Sequence, residues 1–245
     1  MTRLLLLSTA DTELLAARRA DERWRTANPA RLAEGELAGL LEGVDAVVLR
    51  LLGGRRSWEA GVEELRGSGV PLVALGGEAA PDAELMALST VPAGVATDAL
   101  AYLREGGVAN LAQLAAFLSD TLFLTGEPFE PAAPMPMFGV REREVREGRP
   151  TVAVVYYRAH ELSGNSAFVD TLCDAVETAG ANARPVFVGS LRDPDPRLAE
   201  LLAGADAVIA TVLAAGGSNG SPVRNSVSDR NAASCARFAT PPSRR

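Results

Sequence analysis

Apolar positions along this chain fall into short uninterrupted runs separated by helical stretches, the pattern of strands buried on both faces with helices crossing between them. Leu4 to Leu7 is the first such run, and leucines and alanines then recur at helical spacing from Asp11 to Arg25, with Asp11 placed to cap the helix. Asn28-Pro29 interrupts, Glu34 to Leu41 reads as a second short helix, and GVDAVVLRLLGG over 43–54 is a strand closed by paired glycines. A helix capped by Ser57 runs to Arg66, Val70 to Leu75 makes a third strand, and Asp98 to Leu124 is helical, broken near Gly106-Gly107. Residues 127–150 hold five prolines and an alternating-charge run, which reads as a linker or surface excursion. The pattern then restarts: strand Thr151–Tyr157, helix Ser166–Thr178, strand Arg184–Val188, helix Pro196–Ala203, strand Asp206–Leu213. ADAVIATVLAAGG at its end echoes the earlier VDAVVLRLLGG, each strand preceded by an aspartate and followed by paired glycines.

The expectation is an α/β protein with two Rossmann-like or flavodoxin-like parallel-sheet units. The first unit spans 1–126 and the second, incomplete, spans 151–217. Residues 218–245 lack apolar periodicity and read as a disordered tail, either an ordinary basic terminus or the product of a frame change near Gly217.

Charge sharpens this division. The formal balance is −7, yet Gly216 to Arg245 carries five arginines against one aspartate, leaving −11 on the preceding 215 residues. An acidic body argues against non-specific binding to nucleic acid or anionic membranes. The opening run of four leucines is too short for a signal peptide core or a membrane span, so a cytoplasmic protein is expected. All 24 basic residues are arginine, which excludes a Walker A lysine and a lysine Schiff base. One histidine and two cysteines 62 positions apart exclude a two-histidine zinc helix and a four-thiolate site. No GxGxxG is present and no lysine can serve a phosphate loop, so any nucleotide hydrolysis falls to another chain.

Candidate chemistry gathers after the Thr151–Tyr157 strand, in a polar loop holding Arg158, His160, Glu161, Ser163, Gly164 and Asn165. Ligands of open α/β sheets sit outside the carboxyl ends of strands, facing helix N-termini. Histidine changes charge near neutral pH and serves as base or ligand. Glu161 can accept a proton, Arg158 can pair with a carboxylate, Asn165 offers its amide, and Tyr156 and Tyr157 can line a pocket for a flat ligand. The same residue types also make ordinary turns and caps, with Arg158 and Glu161 a solvated pair. The glycine pairs read more readily as positive-φ turns than as ligand cradles, and Cys173 as a small core residue.

Seven words in order carry a resemblance. They are STADTELLA at 8–16, VLRLLGG at 48–54, LSTVP at 88–92, YLREGGVANL at 102–111, PTVAVVYYRAHELSGNSAFVDTL at 150–172, GANARPVFVGSLRD at 180–193 and DAVIATVLAAGG at 206–217. Together they resemble the N-terminal portion of the cobaltochelatase (CobN) and magnesium chelatase H large-subunit family, with the likeness ending at about Gly217. The resemblance implies a part in cobalamin biosynthesis, with ATP-dependent insertion of cobalt into hydrogenobyrinic acid a,c-diamide. It also implies AAA+ partner subunits that use the ATP, a corrinoid or tetrapyrrole substrate, cobalt as substrate metal and no tightly bound cofactor. It further implies that the piece is inactive alone. Within that frame His160 and Glu161 are the candidate catalytic residues, and Arg158, Ser163, Asn165 and Tyr157 the candidate substrate contacts, with no resident metal ligand. The alternative is a non-enzymatic, two-lobed module for a small ligand.

Overall fold

A computed structural model describes residues 1–78, 80–191 and 196–212. Two four-stranded sheets belong to one compact unit, Met1–Leu213. The first sheet has the order β2-β1-β3-β4, from β1 (Leu4–Ser8), β2 (Trp24–Ala27), β3 (Ala46–Leu51) and β4 (Leu72–Gly76), all parallel. The second has the order β5-β7-β6-β8, from β5 (Phe138–Val140), β6 (Thr151–Tyr157), β7 (Asn182–Val188) and β8 (Ala207–Ala210). β2-β1-β3 and β7-β6-β8 repeat the same parallel arrangement, the flavodoxin-like start in which the second strand lies on one side of the first and the third on the other.

The leucine run of β1 explains the layering of the first sheet. Side chains alternate across a strand, so Leu4 and Leu6 enter one apolar cluster while Leu5 and Leu7 enter another. The first face is covered by α1 (Asp11–Ala20), α5 (Ala93–Glu105) and α6 (Gly107–Phe123). The second is covered by α2 (Glu36–Leu41), α3 (Glu59–Gly67) and α4 (Ala83–Met86). In the second sheet α8 (Ala167–Thr178) packs on one face, with Cys173 fully buried as expected, and α9 (Pro196–Leu202) supplies Leu198 to the other.

The echoing aspartates perform one task twice. Asp45 donates its N–H to the Arg3 carbonyl and accepts the Arg3 N–H at Oδ2 (2.7 Å). Asp206 does the same with Thr151, at 2.8 Å for both bonds. Each clasp fixes where the third strand of its unit starts against the first.

Several elements differ from expectation. The helix from Asp11 stops at Ala20, where Asp21 Oδ1 accepts the Arg23 N–H and turns the chain into β2, a strand the periodicity hid. Ala10, not Asp11, stands at the N-cap of α1, while Asp11 pairs with Asn28 and Arg31. Trp58 rather than Ser57 precedes α3. The second sheet is mixed, because β5, from inside the proline-rich stretch, pairs antiparallel with β7. That stretch is also pinned to the helices: Asn110 clasps Ala133 through both its amide ends, and the Tyr102 hydroxyl donates to the Glu130 carbonyl. Gly53 and Gly54 take φ of 89° and 72°, the turn reading of that pair. Gly216-Gly217 and the predicted tail lie outside the described residues.

Candidate functional site

The expected polar loop after β6 is a short helix, α7 (Arg158–Ser163), closed by Gly164 in the left-handed region at φ 67°. Gly164 ends α7 by donating to the Glu161 carbonyl. Ser166 occupies the N-cap position of α8, although its hydroxyl serves Arg141 rather than the helix. Folding the loop into a helix sends its side chains in three directions.

His160 and Asn165 turn to a broad groove of about 640 Å³, which they share with Asp11, Leu14, Leu15, Arg18, Arg31 and Leu32. Its wall combines leucine surface with guanidinium groups, the composition that suits a flat apolar ligand with acidic edges. The His160 ring meets Phe168 edge-on at 5.1 Å, and its buried Nδ1 has no hydrogen-bond partner among the described residues. Asp11 is held below the usual carboxylate range, first by the Asn28 amide and then by Arg31.

Arg158 and Ser163 face a smaller cleft of about 220 Å³ on the other side of the α1 start, with Thr12 lining both openings. Arg158 donates through Nε to the Pro136 carbonyl (2.8 Å) and through Nη2 to the carbonyls of Glu105 (2.7 Å) and Met135 (3.2 Å). It therefore ties the proline-rich stretch to the end of α5, where a helix C-terminus favours a cation. Burial pulls its guanidinium below the ordinary arginine value. Arg19 Nη1 donates to the Ser163 carbonyl (2.7 Å), joining α1 to α7.

Glu161 points into the second unit. Its Oε2 accepts the hydroxyl of fully buried Tyr156 at 2.7 Å and lies 3.8 Å from Arg141. Burial and then the Glu161 carboxylate push the Tyr156 phenol well above its ordinary range. Tyr157 is half-buried against the other face of its sheet, 6.5 Å from His160 between ring centres.

The floor of the smaller cleft was not anticipated. Ser8 and Arg50 are register partners at the ends of β1 and β3, where the strand order switches direction. Arg50 is 6% exposed and pairs through Nη1 with Glu13 Oε1, while Nη1 and Nη2 donate to the carbonyls of Leu103 (2.9 Å) and Gly77 (3.0 Å). The Ser8 hydroxyl donates to Glu13 Oε2 at 2.7 Å. Burial pushes the Glu13 carboxyl up, against the opposing pull of Arg50 and Ser8. A single arginine inside the apolar run VVLRLL was the available signal, since a buried guanidinium needs a carboxylate.

Comparison with known proteins places this arrangement. The CobN/Magnesium Chelatase family model matches residues 100–241, more than half of the chain and past the Gly217 limit that the sequence words suggested. The chain belongs to that family. It is 30% identical over 217 residues to an aerobic cobaltochelatase subunit CobN of Pseudomonas aeruginosa, covering 78% of this chain and 17% of the relative. A CobN subunit from Sinorhizobium sp is 33% identical over 227 residues, covering 78% of this chain and 18% of the relative. Among solved structures, the catalytic subunit of cobaltochelatase from Mycobacterium tuberculosis superposes with a TM-score of 0.74 at 49% identity, over 89% of this chain and 19% of that one. The chain thus spans about a fifth of the length of these relatives. Among the described residues no helix is long and apolar enough to cross a membrane.

Proposed function

We propose that this chain forms part of the tetrapyrrole-binding wall of a cobaltochelatase large subunit, inserting Co(II) into hydrogenobyrinic acid a,c-diamide within a longer polypeptide in the cytoplasm. AAA+ partner subunits hydrolyse the ATP, and the piece does not turn over alone. The observation that carries the reading is the fate of the YRAHELSGN word: folded as α7 and its closing turn, it places His160 and Asn165 on a groove where leucine surface meets Arg18 and the Arg31–Asp11 pair. A corrinoid edge offers the complementary surface, a flat apolar ring with peripheral carboxylates.

Insertion requires cobalt, the substrate metal, to shed water while ring nitrogens lose protons. His160, which lines the groove, is the base in this scheme, and Asn165 orients the ring edge. Glu161 is tied to the Tyr156 hydroxyl and acts by fixing α7 against β6. Arg158, Ser163 and Tyr157 hold the remaining margin of the substrate.

Absorption titration of the chain with hydrogenobyrinic acid a,c-diamide tests the reading, which expects a shift of the corrinoid bands on binding. In the longer polypeptide, His160→Ala lowers chelation at unchanged melting temperature. A spectrum indifferent to the protein, or chelation untouched by His160→Ala, returns the chain to a non-enzymatic small-ligand module.

A further inference from the structure

The smaller cleft is lined by guanidinium groups with donors that no group engages among the described residues. Three arginines line it, Arg50, Arg104 and Arg158, against one acid, Glu13. Arg50 Nε is buried and has no hydrogen-bond partner among the described residues. Arg158 engages three backbone carbonyls through Nε and Nη2, and its Nη1 makes no hydrogen bond among the described residues. No carboxylate lies within ion-pair distance of Arg158 among those residues, while Arg104 is half exposed and reaches Glu105 at 3.4 Å. The rest of the lining is largely apolar, from Leu52, Leu103, Leu111 and Leu162. Glu13 is pushed toward its neutral form by burial and faces Arg50 and Ser8 as well as the cleft, so its opposition to an incoming anion is blunted.

We infer that this switch-point cleft binds a carboxylate carried on a short alkyl stem. The charged end meets the guanidinium edges of Arg158 and Arg104 above the Arg50 floor, and the stem lies on the leucines. A volume of about 220 Å³ admits such a group and excludes a macrocycle. Because Thr12 borders both openings, a ring held in the His160 groove can send one acidic side arm across the start of α1 into the cleft. In that form the inference rests on the proposed function; a free short-chain acid offers the same chemistry.

Propionate titrated into the chain by calorimetry, with inorganic phosphate and propylamine as controls, is the test. The expectation is saturable propionate binding with a dissociation constant on the order of 1–10 mM, as a ligand of five heavy atoms allows. Phosphate is expected to bind at least about tenfold more weakly for want of a stem, and propylamine not at all. Leu52→Glu, at a position 47% exposed, sets a negative charge on the cleft and removes propionate binding. Arg104→Gln weakens it several-fold without disturbing the core. No propionate binding, equal binding of phosphate, or indifference to both substitutions overturns the assignment. Propionate that competes with the diamide identifies the tetrapyrrole arm as the ligand, and binding without competition identifies a free acid. Diamide binding that is intact in Leu52→Glu, without propionate binding in the wild type, removes the cleft site and spares the proposed function. Propionate binding with no diamide binding does the reverse.

Discussion

β3 and β8 are parallel strands that begin from the same aspartate clasp, yet they meet different surroundings. β3 is buried at every residue, flanked by β1 and β4 and covered by helices on both faces. Among the described residues β8 is an edge strand exposed at every residue, with Val208 at 53% and Ile209 at 37%. Sequence pattern sets what a strand is suited to, and its neighbours set what it buries. The same contrast governs polar groups. Arg50, inside the covered sheet, requires Glu13 and two carbonyls. Arg184, in β7, reaches the carbonyls of Leu201 and Ala203 at the end of α9, and no carboxylate among the described residues.

The largest effect should come from breaking that contrast at its most buried charge. Arg50→Ala leaves the Glu13 carboxylate without its cation and is expected to cost about 3–5 kcal/mol in urea unfolding. Arg184→Ala is expected to cost only about 1–2 kcal/mol. pH gives a second view of the same pair. Burial raises Glu13, so the folded state holds this proton more tightly than the unfolded chain does. Its stabilising contribution is therefore full below the ordinary glutamate range and lost as pH rises through the raised value. Glu13→Gln should flatten that part of the stability-against-pH curve, and an unchanged slope would show that Glu13 is not the group responsible.

A second substitution pair compares apolar burial. Leu6, fully buried in β1, should cost about 2–5 kcal/mol when changed to alanine. Val208→Ala in β8 should stay within about 0.5 kcal/mol, because little surface leaves water there. Equal losses would mean that β8 is covered in solution by something outside the described residues.

These two pairs also mark how far the fold and site were legible in the sequence. β1, β3, β4, β6 and β7 announce themselves as apolar runs, since a strand buried on both faces needs no polar alternation. β2 was hidden because Trp24-Arg25-Thr26-Ala27 continues the helical spacing of α1, and the turn that separates them depends on an Asp21 hydrogen bond. β5 was hidden by prolines around a three-residue strand whose pairing with β7 is wholly tertiary. At the site, the word around His160 was visible as a cluster, but its division between a groove, a cleft and the second sheet follows from α7 being helical. Glu13 and Arg50 stand 37 positions apart, and the turn direction of two connections is what joins them.

The smallest expected effect tests whether the two units are built alike at their entry points. Asp45 and Asp206 are exposed, so each owes its influence to one backbone N–H that it holds, at Arg3 and at Thr151. Removing such an acceptor at a solvated site should cost about 0.5–1.5 kcal/mol, because water replaces part of the bond. Asp45→Ala and Asp206→Ala should therefore lower stability by similar small amounts. Each should speed hydrogen exchange at its own partner amide, Arg3 in one case and Thr151 in the other, and leave the other unit's amide unchanged. The asparagine variants keep an acceptor oxygen and should restore most of the protection. If Asp45→Ala alone is costly, the clasp matters where it registers a fully covered sheet, and the repeat is one of geometry rather than of energy.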